Sequence, residues 1–97
     1  MFSARLINHK DTCMLNICDT ELVGRSLNRG SFTLKITDNY YAEKTVVKEE
    51  AKALLRSSNS INMVGKEIVS LSVNMGIGSE DGIKEIDGIP FLIVFKM

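Results

Sequence analysis

Two short blocks of the sequence place a cation directly after a glycine, and both are candidates for anion binding. They are Gly24-Arg25 and Gly65-Lys66. Backbone N–H groups exposed at glycines, together with two cations, can hold a phosphate group. The alternative is that Gly65 allows a close crossing of helix and sheet while both cations are solvated. No P-loop or dinucleotide fingerprint accompanies the blocks, so the spacing leaves both interpretations open.

Three further cations recur at four-residue intervals along a predicted helix: Lys48, Lys52 and Arg56. Residues 25–56 hold seven cations and four acids, whereas residues 67–87 hold one cation and five acids, so the surface is expected to be polarised. A basic ridge of this kind can follow an RNA backbone. The competing interpretation is a solvated face neutralised by Glu49 and Glu50.

Aromatic and thiol side chains are the remaining candidates for chemistry. Tyr40 and Tyr41 could stack on RNA bases, although adjacent tyrosines in a turn more often divide into one packed and one exposed ring. Cys18 could be a reactive thiol if the helical turn predicted after it lowers the thiol pKa, and a small buried strand residue is the alternative.

The sequence predicts neither a disulfide nor a metal site. Cys13 and Cys18 lie five residues apart in one predicted strand, so their side chains should point to opposite faces of the sheet. A zinc site needs about four ligands, and His9 is the single histidine in the sequence. We therefore expect no metal and no cofactor.

The composition is that of one ordinary domain covering residues 1–97, with 44% hydrophobic and 25% charged residues. Twelve basic and twelve acidic residues give a net charge of zero, which disfavours a protein that holds nucleic acid through phosphate contacts alone. The N-terminal residues lack a signal-peptide core, and the apolar run Ile89–Phe95 is far too short to cross a membrane. We expect a cytoplasmic protein with no membrane partner.

Hydrophobic periodicity predicts the elements that must position these residues. Strands are expected at 2–8, 13–18, 32–37, 83–86 and 89–96, and helices at 48–57 and 61–75. The first connection lacks an Asn-Gly or Asp-Gly signal and is predicted to be a longer loop, whereas Asp87-Gly88 predicts a type I′ turn. Residues 19–24 are predicted to form a capped helical turn that ends at Gly24.

These elements predict a two-layer α+β domain, with two packed helices on a largely antiparallel sheet of about five strands. Their order is β-β-β-α-α-β-β. The second helix is predicted from Ile61, Val64, Ile68, Leu71 and Met75, which recur every three or four residues. The last strand is apolar on both faces from Phe91 to Phe95, so a single helical layer would leave one face uncovered.

Three segments of the chain resemble the archaeal family known as domain of unknown function 424. They are Ile17-Cys18-Asp19-Thr20-Glu21-Leu22-Val23-Gly24-Arg25, Ile61-Asn62-Met63-Val64-Gly65-Lys66-Glu67 and Asp87-Gly88-Ile89-Pro90. Their order and spacing extend the resemblance over essentially the whole chain. Phe91 stands where the family has a histidine after the proline. The resemblance implies an archaeal source and a compact α+β fold, and it implies no activity.

The sequence thus favours a binding module over an enzyme. Our first hypothesis for the partner is RNA or a ribonucleoprotein, because of the polarised charge and the two glycine–cation blocks. The second is a protein partner or self-association through the sheet, because the last strand is apolar on both faces. The third is a small-molecule or enzyme site around Cys18 and the backbones of Gly24 and Gly65.

Overall fold

A computed structural model describes residues 1–96, with Asp38 described through its backbone. Within them lie eight strands, three helices and two short 3-10 turns. The strands are β1 (Phe2–His9), β2 (Thr12–Asp19), β3 (Ser26–Arg29), β4 (Phe32–Lys35), β5 (Lys44–Val46), β6 (Ser60–Val64), β7 (Lys84–Ile86) and β8 (Ile89–Phe95). The helices are α1 (Asp38–Tyr41), α2 (Lys48–Ser57) and α3 (Lys66–Asn74).

Six strands form one sheet in the order β5-β1-β2-β6-β8-β7, while β3 and β4 form a separate hairpin. Neighbouring strands are antiparallel except β2 and β6, which run parallel. The predicted α+β fold with a largely antiparallel sheet is therefore confirmed. The main sheet has six strands, against about five predicted. The prediction did not include the short strands β3 and β5 or the central strand β6.

The helices α2 and α3 pack on one face of the sheet and bury its larger core. Ala51 and Leu55 supply the buried face of α2, and Ile68 and Leu71 supply that of α3. They meet side chains from the sheet: Phe2, Ala4, Leu15, Ile17, Val46, Ile61, Met63 and Leu92. At about 1.5–3 kcal/mol for each buried aliphatic side chain, this core is the main source of stability. The predicted bounds of α2 agree with the structure.

The prediction of a second helix over residues 61–75 is wrong at its start. Ile61 and Val64 lie in β6, and α3 begins at Lys66. Between them, Gly65 has a φ of +125°, which no helix accommodates. β6 is flanked by β2 and β8, so strand alternation buries Ile61 and Met63 under the helices and turns Val64 to the other face. A three-residue apolar spacing is typical of a helix, and it fits a strand only where both faces are buried, as they are here between β2 and β8.

The β1–β2 and β7–β8 hairpins have two-residue connections. His9 pairs with Thr12, so Lys10 and Asp11 alone form the first turn, and the prediction of a longer loop there is wrong. Lys10 takes a φ of 55°, which supplies the left-handed conformation usually provided by asparagine or glycine. The predicted Asp87-Gly88 turn is confirmed, since both residues have positive φ between β7 and β8.

The second face of the sheet is covered only in part. The β3–β4 hairpin, the 3-10 turn at Thr20–Leu22 and α1 enclose a smaller core. Its buried members are Cys18, Leu22, Leu27, Ile36, Tyr41, Val64 and Ile86. Along β8 the cover ends after Phe91, so Ile93 is 51% exposed and Phe95 is 74% exposed. In the described part of the chain, no helix has the length and apolarity to cross a membrane.

Candidate functional site

The start of α3, where the sequence places an anion site, is filled by a carboxylate of the protein itself. Asp19 accepts hydrogen bonds from the backbone N–H groups of Glu67 at 3.0 Å and Ile68 at 2.9 Å. The backbone N–H of Gly65 donates to the carbonyl of Pro90. Three of the donors that would hold a phosphate at this helix end are therefore already paired.

Gly65 is a glycine because Asp19 comes so close to it. A Cβ placed on Gly65 would lie 2.9 Å from Oδ1 of Asp19 and closer still to Cγ and Oδ2. The close approach at Gly65 expected from the sequence is thus made by a side chain of β2. Gly24 differs, because it has a positive φ of +94° in a turn but no atom within 4 Å of an added Cβ.

Arg25 and Lys66 do line a common groove, which has a volume of about 310 Å³. Asp19, Glu21 and Glu67 line it too, so carboxylates outnumber cations there. Lys66 also lines the neighbouring groove, with Lys48. The fold therefore brings the two glycine–cation blocks and the start of the ridge together, but it intersperses them with acids.

The basic ridge of α2 lies in the helical layer and is partly neutralised. Lys52 forms an ion pair with Glu49, with 3.6 Å between nitrogen and oxygen. Glu50 pairs instead with Lys44, at 2.7 Å. Arg56 is exposed near the end of the helix. Neutralisation by glutamates, the competing interpretation of this ridge, is therefore observed for Lys52.

Cys18 is fully buried in the smaller core, where no substrate can reach its sulfur. Burial, reinforced by the neighbouring charge of Asp19, raises the pKa of the thiol to about 12. Reactive cysteines need an accessible thiolate, so the reactive-thiol hypothesis for Cys18 is wrong for this fold. Cys13 is half-buried on the opposite face of β2, with its Sγ 3.9 Å from Oγ of Ser58. Residues 1–96 contain no group of side chains arranged to hold a metal ion.

An apolar concavity lies between the β3–β4 hairpin and the open face of the sheet, and we call it the hairpin groove. It has a volume of about 400 Å³. Its lining consists of Phe32, Leu34, Lys35, Thr37, Tyr40, Tyr41, Asn62, Met63, Val64, Ile86, Phe91 and Ile93. These side chains are mostly apolar, and they include one cation and no acid. Mostly apolar grooves with a few placed polar groups are typical ligand sites.

Aromatic rings at this groove are accessible from outside. Phe32 is 55% exposed and Tyr40 is 47% exposed, whereas Tyr41 is buried. The predicted division of the tyrosines into one packed and one exposed ring is thus confirmed. Phe95 extends the apolar surface, since it lies two residues beyond Ile93 on the same face of β8.

A chain of amides fixes the polar floor of the groove. Asn16, buried in β2, donates from Nδ2 to the carbonyl of Tyr40 at 3.2 Å. Asn62, in β6, donates from Nδ2 to Oδ1 of Asn16 at 2.8 Å. The two amides thereby connect the central strands to α1 and hold Tyr40 over the sheet.

The groove residues Phe32, Lys35, Asn62 and Ile93 are absent from the sites predicted from sequence. One signal does point to them, namely the last strand that is apolar on both faces and requires cover. The strand Phe32–Lys35 supplies part of that cover. Its alternating pattern predicts a strand but does not show that the strand belongs to a hairpin outside the main sheet. The groove arises from this incomplete cover, so it depends on tertiary structure.

Comparison with known proteins supports the fold and leaves the activity open. Residues 7–97 match a family described as a protein of unknown function, DUF424. The crystal structure of an uncharacterized conserved protein from Methanopyrus kandleri is similar, with a TM-score of 0.81 and 25% sequence identity. The match covers 99% of this chain and 93% of that protein. A search of the curated proteins gave no match.

Proposed function

The chain belongs to the DUF424 family, and we propose that it is a non-catalytic module that binds single-stranded RNA. In this proposal, bases stack in the hairpin groove and phosphates lie along the adjoining cations. A cytoplasmic location is part of the proposal, because free or ribonucleoprotein RNA is found there. The observation that carries it is an open groove with exposed aromatic rings, and with one cation and no acid among its described lining side chains.

The aromatic side chains supply a surface that suits bases. Every base has a flat π-face, and stacking on an aromatic side chain stabilises binding by about 1–3 kcal/mol per base. Phe32, on β4, and Tyr40, on α1, both line the groove. Both are about half exposed before any partner binds, so a base can reach them without unfolding the hairpin.

Further cations lie outside the groove, beyond the start of the hairpin. Lys35 lines the groove, and Arg25 directly precedes Ser26, the residue that pairs with Lys35. Arg25 then shares a groove with Lys66, which shares the next one with Lys48. We call Lys35, Arg25, Lys66 and Lys48 the cation row. It is the proposed path for phosphates, and along it Arg25 and Lys66 share their groove with the carboxylates of Asp19, Glu21 and Glu67.

RNA titrations followed by fluorescence anisotropy test this proposal. A short labelled single-stranded RNA should bind, and binding should weaken steeply when salt rises from about 50 to about 200 mM, because phosphate contacts release counterions. Phe32→Ala and Tyr40→Ala should each weaken binding by about 5-fold or more. Replacing all four cations of the row by glutamine should reduce both the affinity and the salt dependence.

Val47→Ala is the matched control, since Val47 is 56% exposed but lies at the start of α2, outside the groove. It should leave RNA affinity unchanged. No binding of single-stranded RNA at low salt, or binding that does not depend on salt, would contradict the proposal.

A protein partner or a second copy of the chain is the alternative occupant of the same surface. The exposed side chains of Ile93 and Phe95 favour it, because contiguous apolar patches often mark protein interfaces. Sedimentation distinguishes the two. A dimer should have a mass near twice 10.8 kDa, and Ile93→Ser should dissociate it, whereas a monomer at high concentration excludes self-association.

A further inference from the structure

The orientation of the Asn62 side-chain amide follows from the hydrogen bonds beneath it. The carbonyl oxygen of Tyr40 can only accept, so the amide group of Asn16 that faces it must be Nδ2. The other atom of the Asn16 amide is then Oδ1, which also only accepts. The atom of Asn62 that faces Asn16 is therefore Nδ2, and the amide of Asn62 cannot turn over without losing this bond.

This orientation leaves Oδ1 of Asn62 as a fixed acceptor in the hairpin groove. No hydrogen bond reaches this oxygen from the described residues, and every buried polar side-chain atom among them has a partner. The oxygen is consequently accessible, and Asn62 lines the groove. A ligand that fills the groove without offering a donor would leave this oxygen desolvated and unpaired, which is unfavourable.

We infer that Asn62 determines base specificity, and that the groove prefers adenine and cytosine, whose Watson–Crick edge has an amino group beside an acceptor ring nitrogen, over uracil. This inference rests on the proposed RNA binding. An amino group protrudes from the ring and can reach a fixed oxygen. Uracil has its Watson–Crick donor recessed between two carbonyl oxygens, which would meet Oδ1 first and repel it. Lys35, on the same groove, can donate to the ring nitrogen beside the amino group or to a phosphate.

Labelled octamers of adenosine, cytidine and uridine test the inference with the unmodified protein. The adenosine and cytidine octamers should bind about 5-fold to 100-fold more tightly than the uridine octamer, the discrimination typical of a base recognised through a pair of hydrogen bonds. Adenosine octamers rebuilt with purine riboside, which lacks only the amino group, should bind as weakly as uridine. Equal binding of adenosine and purine riboside octamers would overturn the inference while leaving RNA binding itself intact.

Asn62→Leu supplies the complementary measurement, because leucine has a similar size but cannot accept a hydrogen bond. Affinity for adenosine and cytidine octamers should fall, affinity for uridine should rise because the repelling oxygen is gone, and the preference should disappear. A variant that retains the preference for amino bases would overturn the inference. If no octamer binds the unmodified protein, the proposed function fails and the inference fails with it. The analogue comparison needs no variant, so it stands even where Asn62→Leu folds poorly.

Discussion

The carboxylate of Asp19 occupies the space where a side chain on Gly65 would lie, and it pairs with the first free N–H groups of α3. Asp19 is the last residue of β2, and Gly65 is the residue between β6 and α3. A residue 46 positions earlier in the chain thus serves as the N-terminal cap of the helix. The contact fixes the angle at which α3 leaves the sheet, because strand end and helix start share one hydrogen-bonded carboxylate.

Replacing Gly65 by alanine should destabilise the fold by about 2–4 kcal/mol. Two causes combine, since a φ of +125° is strained for any L side chain and the new methyl group would collide with Asp19. Urea unfolding of the purified variant measures the free-energy change.

Gly24→Ala is the matched control for this prediction. Its φ of +94° is also positive, but nothing lies within 4 Å of the new Cβ. The control should therefore cost only the conformational strain, about 1–2 kcal/mol. Equal losses in the two variants would show that the collision with Asp19 contributes nothing.

The titration of Asp19 should make the free energy of unfolding fall as the pH rises above 3.8. Burial raises the pKa of this carboxyl above its ordinary value of 3.8, although the N–H groups of Glu67 and Ile68 oppose the shift. Between 3.8 and the raised value, the folded state binds more protons than the unfolded chain, so protonation favours folding. This contribution is complete below pH 3.8 and is lost as the pH rises through the folded pKa.

Asp19→Asn removes this titration, and the difference between the two proteins isolates it. The free energy of unfolding of the unmodified protein minus that of the variant should decrease as the pH rises through the window. Urea unfolding at closely spaced pH values measures it. A difference that is constant with pH, or that increases, would contradict the assignment to Asp19.

Structural elements that depend on residues close together in the chain are predicted from the sequence, whereas elements that depend on distant residues are not. α2 is predicted with its observed bounds, because Ala51, Leu54 and Leu55 form a periodic face and Ser57-Ser58-Asn59 ends it. The Asp87-Gly88 turn is predicted from its own two residues. β6 is not, since Ile61 and Val64 fit a helical spacing equally well and only the neighbouring strands select the extended form.

The candidate site is less predictable than the fold for the same reason. Gly65 stands out in the sequence as a glycine needing an explanation, but its partner Asp19 is far away in the chain. Tyr40 is a candidate for stacking in the sequence, whereas Phe32 and Asn62 become its neighbours only when the hairpin folds over the sheet. Local patterns identify single residues here, and tertiary contacts determine which of them share a groove.

Alkaline conditions should destabilise the smaller core from about pH 9 upward. Burial raises the pKa of Cys18 from 9.0 to about 12, and that of Tyr41 from 10.0 to about 12. Above each ordinary value, the unfolded chain loses a proton that the folded state retains. Stability should therefore fall with pH, by up to about 1.4 kcal/mol per pH unit for each group.

Two variants separate these contributions. Cys18→Ala should flatten the decline that begins near pH 9, whereas Tyr41→Phe should retain that decline and flatten the additional one above pH 10. Guanidinium unfolding monitored by circular dichroism gives the slopes. If both variants follow the unmodified protein at every pH, neither group is responsible for alkaline unfolding.

The hydrogen bonds of Asn16 should stabilise the polar floor of the groove. It is buried, and its amide links the carbonyl of Tyr40 to the amide of Asn62. Asn16→Ala would leave both partners without their hydrogen bonds and open a small cavity, so we expect a loss of about 1–3 kcal/mol. Asn74→Ala is the control, because Asn74 is exposed near the end of α3 and should cost under about 0.5 kcal/mol.

The same variant should also loosen the amide of Asn62, whose Nδ2 would no longer have Oδ1 of Asn16 to bind. Any preference for amino bases should then shrink in Asn16→Ala, although Asn62 itself is unchanged. Combining thermal unfolding with octamer titrations at a temperature where the variant is fully folded separates the two effects. A destabilised variant with its base preference intact would show that Asn16 supports the fold alone and does not orient the acceptor.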